Sequence, residues 1–233
     1  MKNLYYRIRN YLQLRKYRKM HHRAKMIAVF EYIAQMKEKP FERFTDGLPL
    51  DKDKISAQAD RAKEKKLDTL YFGDSIGAFL KGNLESVDPD GNFCRPGDTG
   101  DGFRKVIEQV CEVEDFSNVK NVIIGTFGNN ALHYQHIDFI KKEIFEVYKL
   151  ARLNFQDAKI IWIGFPPVYD IYANMVAHIV ELYMKGLTEN SCIIDMAEFG
   201  KGIFPSLQYS SDGIHLSEYG GYRFDQLIKE AKV

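Results

Sequence analysis

Residues 70–80 read LYFGDSIGAFL. The apolar run Thr69–Phe72 gives way abruptly to Gly73-Asp74-Ser75, and a short helical pattern follows through Phe79. This order predicts a strand, a tight turn and a helix start, with Ser75 at the carboxyl end of the strand. Two serine-nucleophile patterns overlap there. Gly73-Asp74-Ser75-Ile76-Gly77 fits G-x-S-x-G, while Gly73-Asp74-Ser75-Ile76 opens a different hydrolase pattern. Gly-Asp-Ser is also ordinary turn and N-cap composition, so the stretch alone does not make Ser75 a nucleophile.

The rest of the chain supplies the frame. Further short apolar or β-branched runs fall at Asn121–Phe127, Lys159–Phe165 and Ser191–Met196, with a weaker extended piece at Asn92–Arg95. Helical patterns fill the gaps at Asp101–Val113, His133–Asn154, Val168–Lys185 and Ser217–Ala231. Strands separated by helices of this length need crossover connections, hence a parallel sheet with helices on both faces. The expected fold is α/β: a three-layer α/β/α, flavodoxin-like sandwich with a central, roughly five-stranded parallel sheet, plus an N-terminal helical extension. In such folds the working residues sit in loops at the carboxyl ends of the strands.

Three more polar stretches fall in such loops. Arg95-Pro96-Gly97-Asp98-Thr99-Gly100-Asp101-Gly102 is glycine-rich and precedes a helix, but it lacks the lysine and spacing of a phosphate-binding P-loop. Asp88, Asp90, Asn92, Asp98 and Asp101 miss the EF-hand spacing and no Glu closes the loop, so no calcium site is expected. Gly128-Asn129-Asn130-Ala131 follows the second strand, where an Asn is either turn chemistry or a donor into an active site. Ser211-Asp212-Gly213-Ile214-His215-Leu216 precedes the last helix. Asp and His three residues apart in a turn bring a carboxylate to an imidazole, which fixes one tautomer and stabilises the imidazolium. Each stretch has a plain structural reading. Together, on one sheet edge, they supply a nucleophile, a base, an orienter and oxyanion donors.

Composition narrows the class further. A chain of 233 residues, 45% hydrophobic and 28% charged, suits one soluble globular core. The net charge of +1 hides an asymmetry. Residues 1–25 carry nine Lys or Arg and no acid, so residues 26–233 stand at −8. The three cysteines, Cys94, Cys111 and Cys192, are too sparse for a disulfide scaffold and show no C-x-x-C spacing. They favour a reducing compartment. No run reaches the ~18 apolar residues of a membrane span. Glu31 interrupts the apolar stretch Met26–Phe30 that would otherwise suggest a secretory signal.

Taken in order, the four blocks resemble the SGNH (GDSL-type) hydrolase superfamily. The resemblance runs from about Leu67 to Val233 and divides the chain into a basic helical extension, 1–66, and a hydrolase domain, 67–233. It implies Ser75 as nucleophile, and Asp212 and His215 as its partners in a triad. It also implies an oxyanion hole from the backbone N–H groups of Ser75 and Gly97 and the side-chain amide of Asn130. Asn130 rather than Asn129 keeps Gly128 two residues upstream, as the Gly-x-Asn pattern asks. Ala131 departs from the Gly-x-Asn-Asp form of that block. The α/β-hydrolase alternative, to which G-x-S-x-G belongs, places several strands before its serine and separates its acid from its histidine. Here one clear strand precedes Ser75, and Asp212 lies three residues from His215.

The resemblance implies a serine esterase with no cofactor and no metal, acting on a small-molecule or glycan ester, with short O-acyl groups on a carbohydrate favoured. Lysophospholipase or lipase action at a membrane surface, O-acyltransfer, and a non-enzymatic glycan- or partner-binding role are the alternatives. Residues 1–39 hold no Gly or Pro and place Leu4, Ile8, Leu12, Met20 and Ile27 at helical spacing. This basic helix suits packing or homo-oligomerisation, or peripheral contact with an anionic membrane, better than nucleic acid. The expected location is the cytoplasm, with the membrane surface as the alternative.

Overall fold

A computed structural model describes residues 49–233, apart from 114, 115, 134, 188, 189, 202, 203, 207 and 211. The basic arm expected in residues 1–39 lies outside the described residues. Four parallel strands form the central sheet in the order β1 (Thr69–Phe72), β2 (Asn121–Ile124), β3 (Lys159–Ile163) and β4 (Ser191–Ile194). Leu70 pairs with Val122, Val122 with Ile160 and Ile160 with Ser191, so the rows run in register across the sheet. The weaker extended piece is also present beside β1. Asn92 bridges Tyr71 in parallel, Phe93 N–H donates to the Tyr71 carbonyl at 2.7 Å, and Arg95 N–H donates to that of Gly73 at 2.8 Å.

Alternation along these strands builds three layers. Leu70, Phe72, Val122, Ile124, Ile160 and Trp162 face one side. They pack there with α1 (Lys52–Glu64), α3 (Gly100–Val113), α5 (Ile137–Asn154) and α6 (Ile171–Gly186). Tyr71, Ile123, Ile161 and Ile163 face the other side and meet α2 (Ser75–Phe79) and α7 (Glu218–Ala231) through Ile76, Phe224 and Ile228. Strands covered on both faces are mostly apolar, which is why Leu70–Phe72 of β1 and Val122–Ile124 of β2 read as unbroken apolar runs. Among the described residues, no helix is long and apolar enough to cross a membrane.

Three expectations are adjusted. β1 ends at Phe72 as expected, while β2, β3 and β4 end two or three residues early, where their last residues leave the ladder for the following loops. Gly125 marks one such exit. Its N–H still donates to Phe72, but a side chain on it would lie 2.6 Å from the Gly73 Cα. The helix expected from His133 starts at Ile137, capped by His136, and a separate short helix α4 (Gly128–Leu132) precedes it. Finally, α1 falls within the expected 1–66 extension, yet its Ile55, Ala59 and Ala62 are buried in the core. Its Gln58 also donates to the carbonyls of Asp90 and Asn92.

Candidate active site

Ser75 begins α2, directly after the turn that ends β1. Asp74 sets that start. It is buried, its Oδ1 accepts from the Ile76 N–H at 3.0 Å as the helix cap, and its Oδ2 accepts from the Thr126 hydroxyl. Burial raises the Asp74 carboxyl to about 6, against the pull of those hydrogen bonds. Thr126 Oγ1 in turn accepts from the Gly128 N–H at 3.2 Å, so one hydroxyl ties the serine turn to the loop after β2.

The turn before α7 brings the other two groups. His215 Nε2 lies 3.1 Å from Ser75 Oγ, and His215 Nδ1 lies 2.7 Å from Asp212 Oδ2. Asp212 Oδ1 accepts from the N–H groups of Ile214 at 2.9 Å and His215 at 2.8 Å. The carboxylate thus folds its own turn around itself while holding the imidazole. Partial burial works to raise the Asp212 carboxyl. The hydrogen bonds from the His215 ring and from the backbone of His215 and Ile214 outweigh it and bring the value down to about 2. The exposed Phe79 ring stands edge-on to His215, with centroids 4.8 Å apart. A cavity of about 330 Å³ opens beside the serine, lined by Ser75, Ile76, Phe79, Leu80, Asp212, His215 and Leu216.

The expected oxyanion donors differ in whether their hydrogens are already committed. The extended piece ending at Arg95 is tacked to Gly73, which carries the next loop past the serine turn. Gly97 takes a left-handed φ of +78°, a conformation open to glycine at little cost. Among the described residues, no acceptor is found for the N–H of Ser75 or of Gly97. Asn130 is turned elsewhere. It is fully buried, its Oδ1 accepts from the Gly100 N–H at 3.1 Å, and its Nδ2 donates to Gln135 Oε1 and to Glu143 Oε2. An amide NH₂ has two hydrogens, so none is left for an oxyanion beside Ser75. Its neighbour Asn129 is only half-buried, and its Nδ2 donates to the carbonyl of Asp98, the residue after Gly97.

The remaining candidates resolve into structure. Asp88 and Asp90 pair with Lys65, and Asp90 also pairs with Arg61. Asn92 bonds the Gly77 carbonyl and the Cys94 N–H, and Asp101 bonds Arg104 and Lys105. Among the described residues, no cluster of three or more His, Cys, Asp or Glu could hold a metal ion. Gly77 has a packing role: a side chain there would meet Cys94 Sγ at 2.3 Å and the Tyr71 ring at 2.7 Å. Thr126 is the site residue that the sequence pattern conceals, since the apolar run to Phe127 draws it into the strand.

No family model and no curated protein matches the sequence. Solved structures do match the fold. A GDSL-like lipase from Bacteroides thetaiotaomicron is 16% identical, with a TM-score of 0.63 over 78% of this chain and 97% of that one. A member of the lipolytic G-D-S-L family from Veillonella parvula is 15% identical, with a TM-score of 0.51 over 70% and 96%. The psychrotrophic esterase EstA from Pseudoalteromonas is 14% identical, with a TM-score of 0.53 over 71% and 96%. With Ser75 on the first strand's exit and His215 before the last helix, the chain has the fold of the SGNH (GDSL-type) hydrolases.

Proposed function

We propose that the protein is a serine ester hydrolase with Ser75 as its nucleophile. The observation that carries this is the unbroken hydrogen-bond chain from Ser75 Oγ through both nitrogens of His215 to Asp212. A serine hydroxyl is a weak nucleophile until an adjacent base takes its proton, and the base needs an orienter. In the proposed reaction His215 Nε2 accepts the Ser75 proton as Oγ bonds to the ester carbonyl carbon. Asp212, ionised at any pH above about 2, stabilises the imidazolium. Collapse of the tetrahedral intermediate breaks the bond to the alcohol, which leaves with the proton returned by His215. Water, deprotonated by the same ring, then cleaves the acyl–serine ester and restores Ser75.

The developing oxyanion is assigned to the free N–H groups of Ser75 and Gly97. We assign the side-chain donor to Asn129 in place of Asn130, because among the described residues Asn129 Nδ2 donates to the Asp98 carbonyl alone, which leaves its second hydrogen. The 330 Å³ cavity is at the small end of the ~300–1,000 Å³ typical of ligand sites, which favours short acyl groups. The esterase and lipase names of the structural neighbours point to the same reaction class.

A fluorophosphonate probe tests the proposal. It labels only an activated serine, so the wild type is expected to react and Ser75→Ala is not. A folded wild type that stays unlabelled would overturn the esterase assignment.

A further inference from the structure

We propose that Tyr169 is a positioning residue for His215, acting through the backbone of Gly213; the inference rests on the esterase assignment above. The turn from Asp212 to His215 is a surface turn, with the two side chains 37% and 28% exposed. It must nevertheless hold the 3.1 Å contact to Ser75. Its middle residue, Gly213, has a φ of +96° and no side chain with which to anchor itself. Left alone, such a segment has the largest conformational freedom a backbone can have.

Two contacts remove that freedom. From inside, Ser210 Oγ accepts from the Gly213 N–H at 2.8 Å and donates to the His215 carbonyl at 3.1 Å. From outside, the Tyr169 ring lies against the Gly213 Cα. A side chain built on Gly213 would fall 2.5 Å from Tyr169 Cε2 and 2.7 Å from Cδ2, so ring and backbone are in direct contact. The loop that carries the ring is braced. Tyr169 sits in the loop between β3 and α6, whose Val168 N–H and carbonyl are both bonded by the Asn174 carboxamide, at 2.9 and 2.8 Å. Asp170 then caps α6 on the Ala173 N–H at 2.9 Å. A flat ring on a braced loop therefore forms one wall of the turn and Ser210 forms the other. The contact with Gly213 is made by ring carbons, so phenylalanine should replace tyrosine.

The test compares Tyr169→Ala and Tyr169→Phe with wild type in 4-nitrophenyl acetate hydrolysis and in the rate of fluorophosphonate labelling. Misplacing a catalytic group by about 1 Å costs on the order of 100-fold, so Tyr169→Ala is expected to lose about 10–100-fold in kcat and in labelling rate. KM should move by less than about threefold, because Tyr169 is not one of the described residues that line the ester cavity. Tyr169→Phe should keep near-wild-type values. An unchanged kcat in Tyr169→Ala, an effect confined to KM, or an equal loss in the Phe variant would each overturn the proposal. If Tyr169→Ala does not fold, Tyr169→Leu, which keeps apolar bulk without a planar face, is read in the same way. A wild type that is not labelled at all defeats the esterase assignment; a labelled wild type with an equally reactive Tyr169→Ala defeats only the role of Tyr169.

Discussion

His215 Nε2 and Ser75 Oγ stand 3.1 Å apart, although 140 residues separate them in the chain. Their meeting follows from the packing of α7 on α2. Leu80, just past the end of α2, lies against Gly221 of α7, and Phe224 of α7 packs on Tyr71 of β1, with ring centroids 6.5 Å apart. The helix that follows His215 is thus seated on the strand and helix that flank Ser75.

If the chain Ser75–His215–Asp212 performs acyl transfer, removing either end of it should abolish the reaction. Ser75→Ala and Asp212→Asn are expected to lower kcat on 4-nitrophenyl acetate by about 10⁴-fold or more. Asp212→Asn should also lose turn stability, since its carboxylate caps two backbone N–H groups. Steady-state kinetics beside thermal melts separate the two effects. Full activity in either variant would remove that residue from the mechanism.

The neighbouring asparagines should divide activity from stability. Asn130 is buried among Gly100, Gln135 and Glu143, so Asn130→Ala should lower Tm by stranding those partners. Asn129→Ala is expected to cost about 10²–10³-fold in kcat, the usual loss for one oxyanion donor, with little change in Tm. The reverse pattern would return the oxyanion role to Asn130.

Asp98 should make the protein lose stability as the pH rises. It is buried, neither carboxyl oxygen has a hydrogen-bond partner among the described residues, and the Arg95 guanidinium is 3.7 Å away. Burial pushes this carboxyl from 3.8 up to about 7, although Arg95 pulls the other way. Between those pH values the folded protein keeps a proton that the unfolded chain has released. Its contribution to stability therefore falls as pH rises from about 4 to 7 and stays at its least favourable above that. Asp98→Asn removes the ionisation, so its gain in Tm over wild type should be larger at pH 8 than at pH 4. Equal gains at both pH values would show that Asp98 does not titrate in this way.

Gly77 is the test of the second serine pattern. Its G-x-S-x-G match is met here by packing, because α2 lies so close that a side chain at 77 meets Cys94 and Tyr71. Gly77→Ala should therefore destabilise by about 1–3 kcal/mol, the usual cost of overfilling a core. Adding Cys94→Ala should restore part of that by removing the 2.3 Å contact. Thermal melts of the single and double variants decide it, and a neutral Gly77→Ala would mean that the glycine serves something other than packing.

The sheet was legible because period-two burial leaves its mark on sequence. Tyr71 faces one layer while Leu70 and Phe72 face the other, and both layers demand apolar residues. The serine, aspartate and histidine were legible because they fall at strand exits and before the last helix in a recognisable order. The direction of the Asn130 amide was not. It is decided by Gln135 and Glu143, one in a connecting loop and one on α5, and no local pattern in Gly128-Asn129-Asn130 encodes which neighbour captures which amide. The place of α1 was hidden for a related reason. Its charged composition suggests a separate extension, while only Ile55, Ala59 and Ala62 of its core face record that it packs on α3.

On the esterase assignment, the cavity beside Ser75 should limit the acyl chain. Its apolar lining comes from Ile76, Phe79, Leu80 and Leu216, and Ile76 and Leu80 are buried against the sheet and α7. A rigid wall of that kind does not retreat for a longer chain, because filling beyond native packing costs about 1–3 kcal/mol. Each added methylene that is buried contributes about 0.8 kcal/mol, nearly fourfold in binding, until the wall is reached. A series of 4-nitrophenyl esters should therefore show kcat/KM rising over the first few carbons and then falling. Phe79 is 56% exposed and forms the outer rim, so Phe79→Ala should open the cavity and move that maximum to longer chains. A flat profile, or a maximum at long chains in the wild type, would mean that the acyl group leaves the cavity and that its selectivity arises elsewhere.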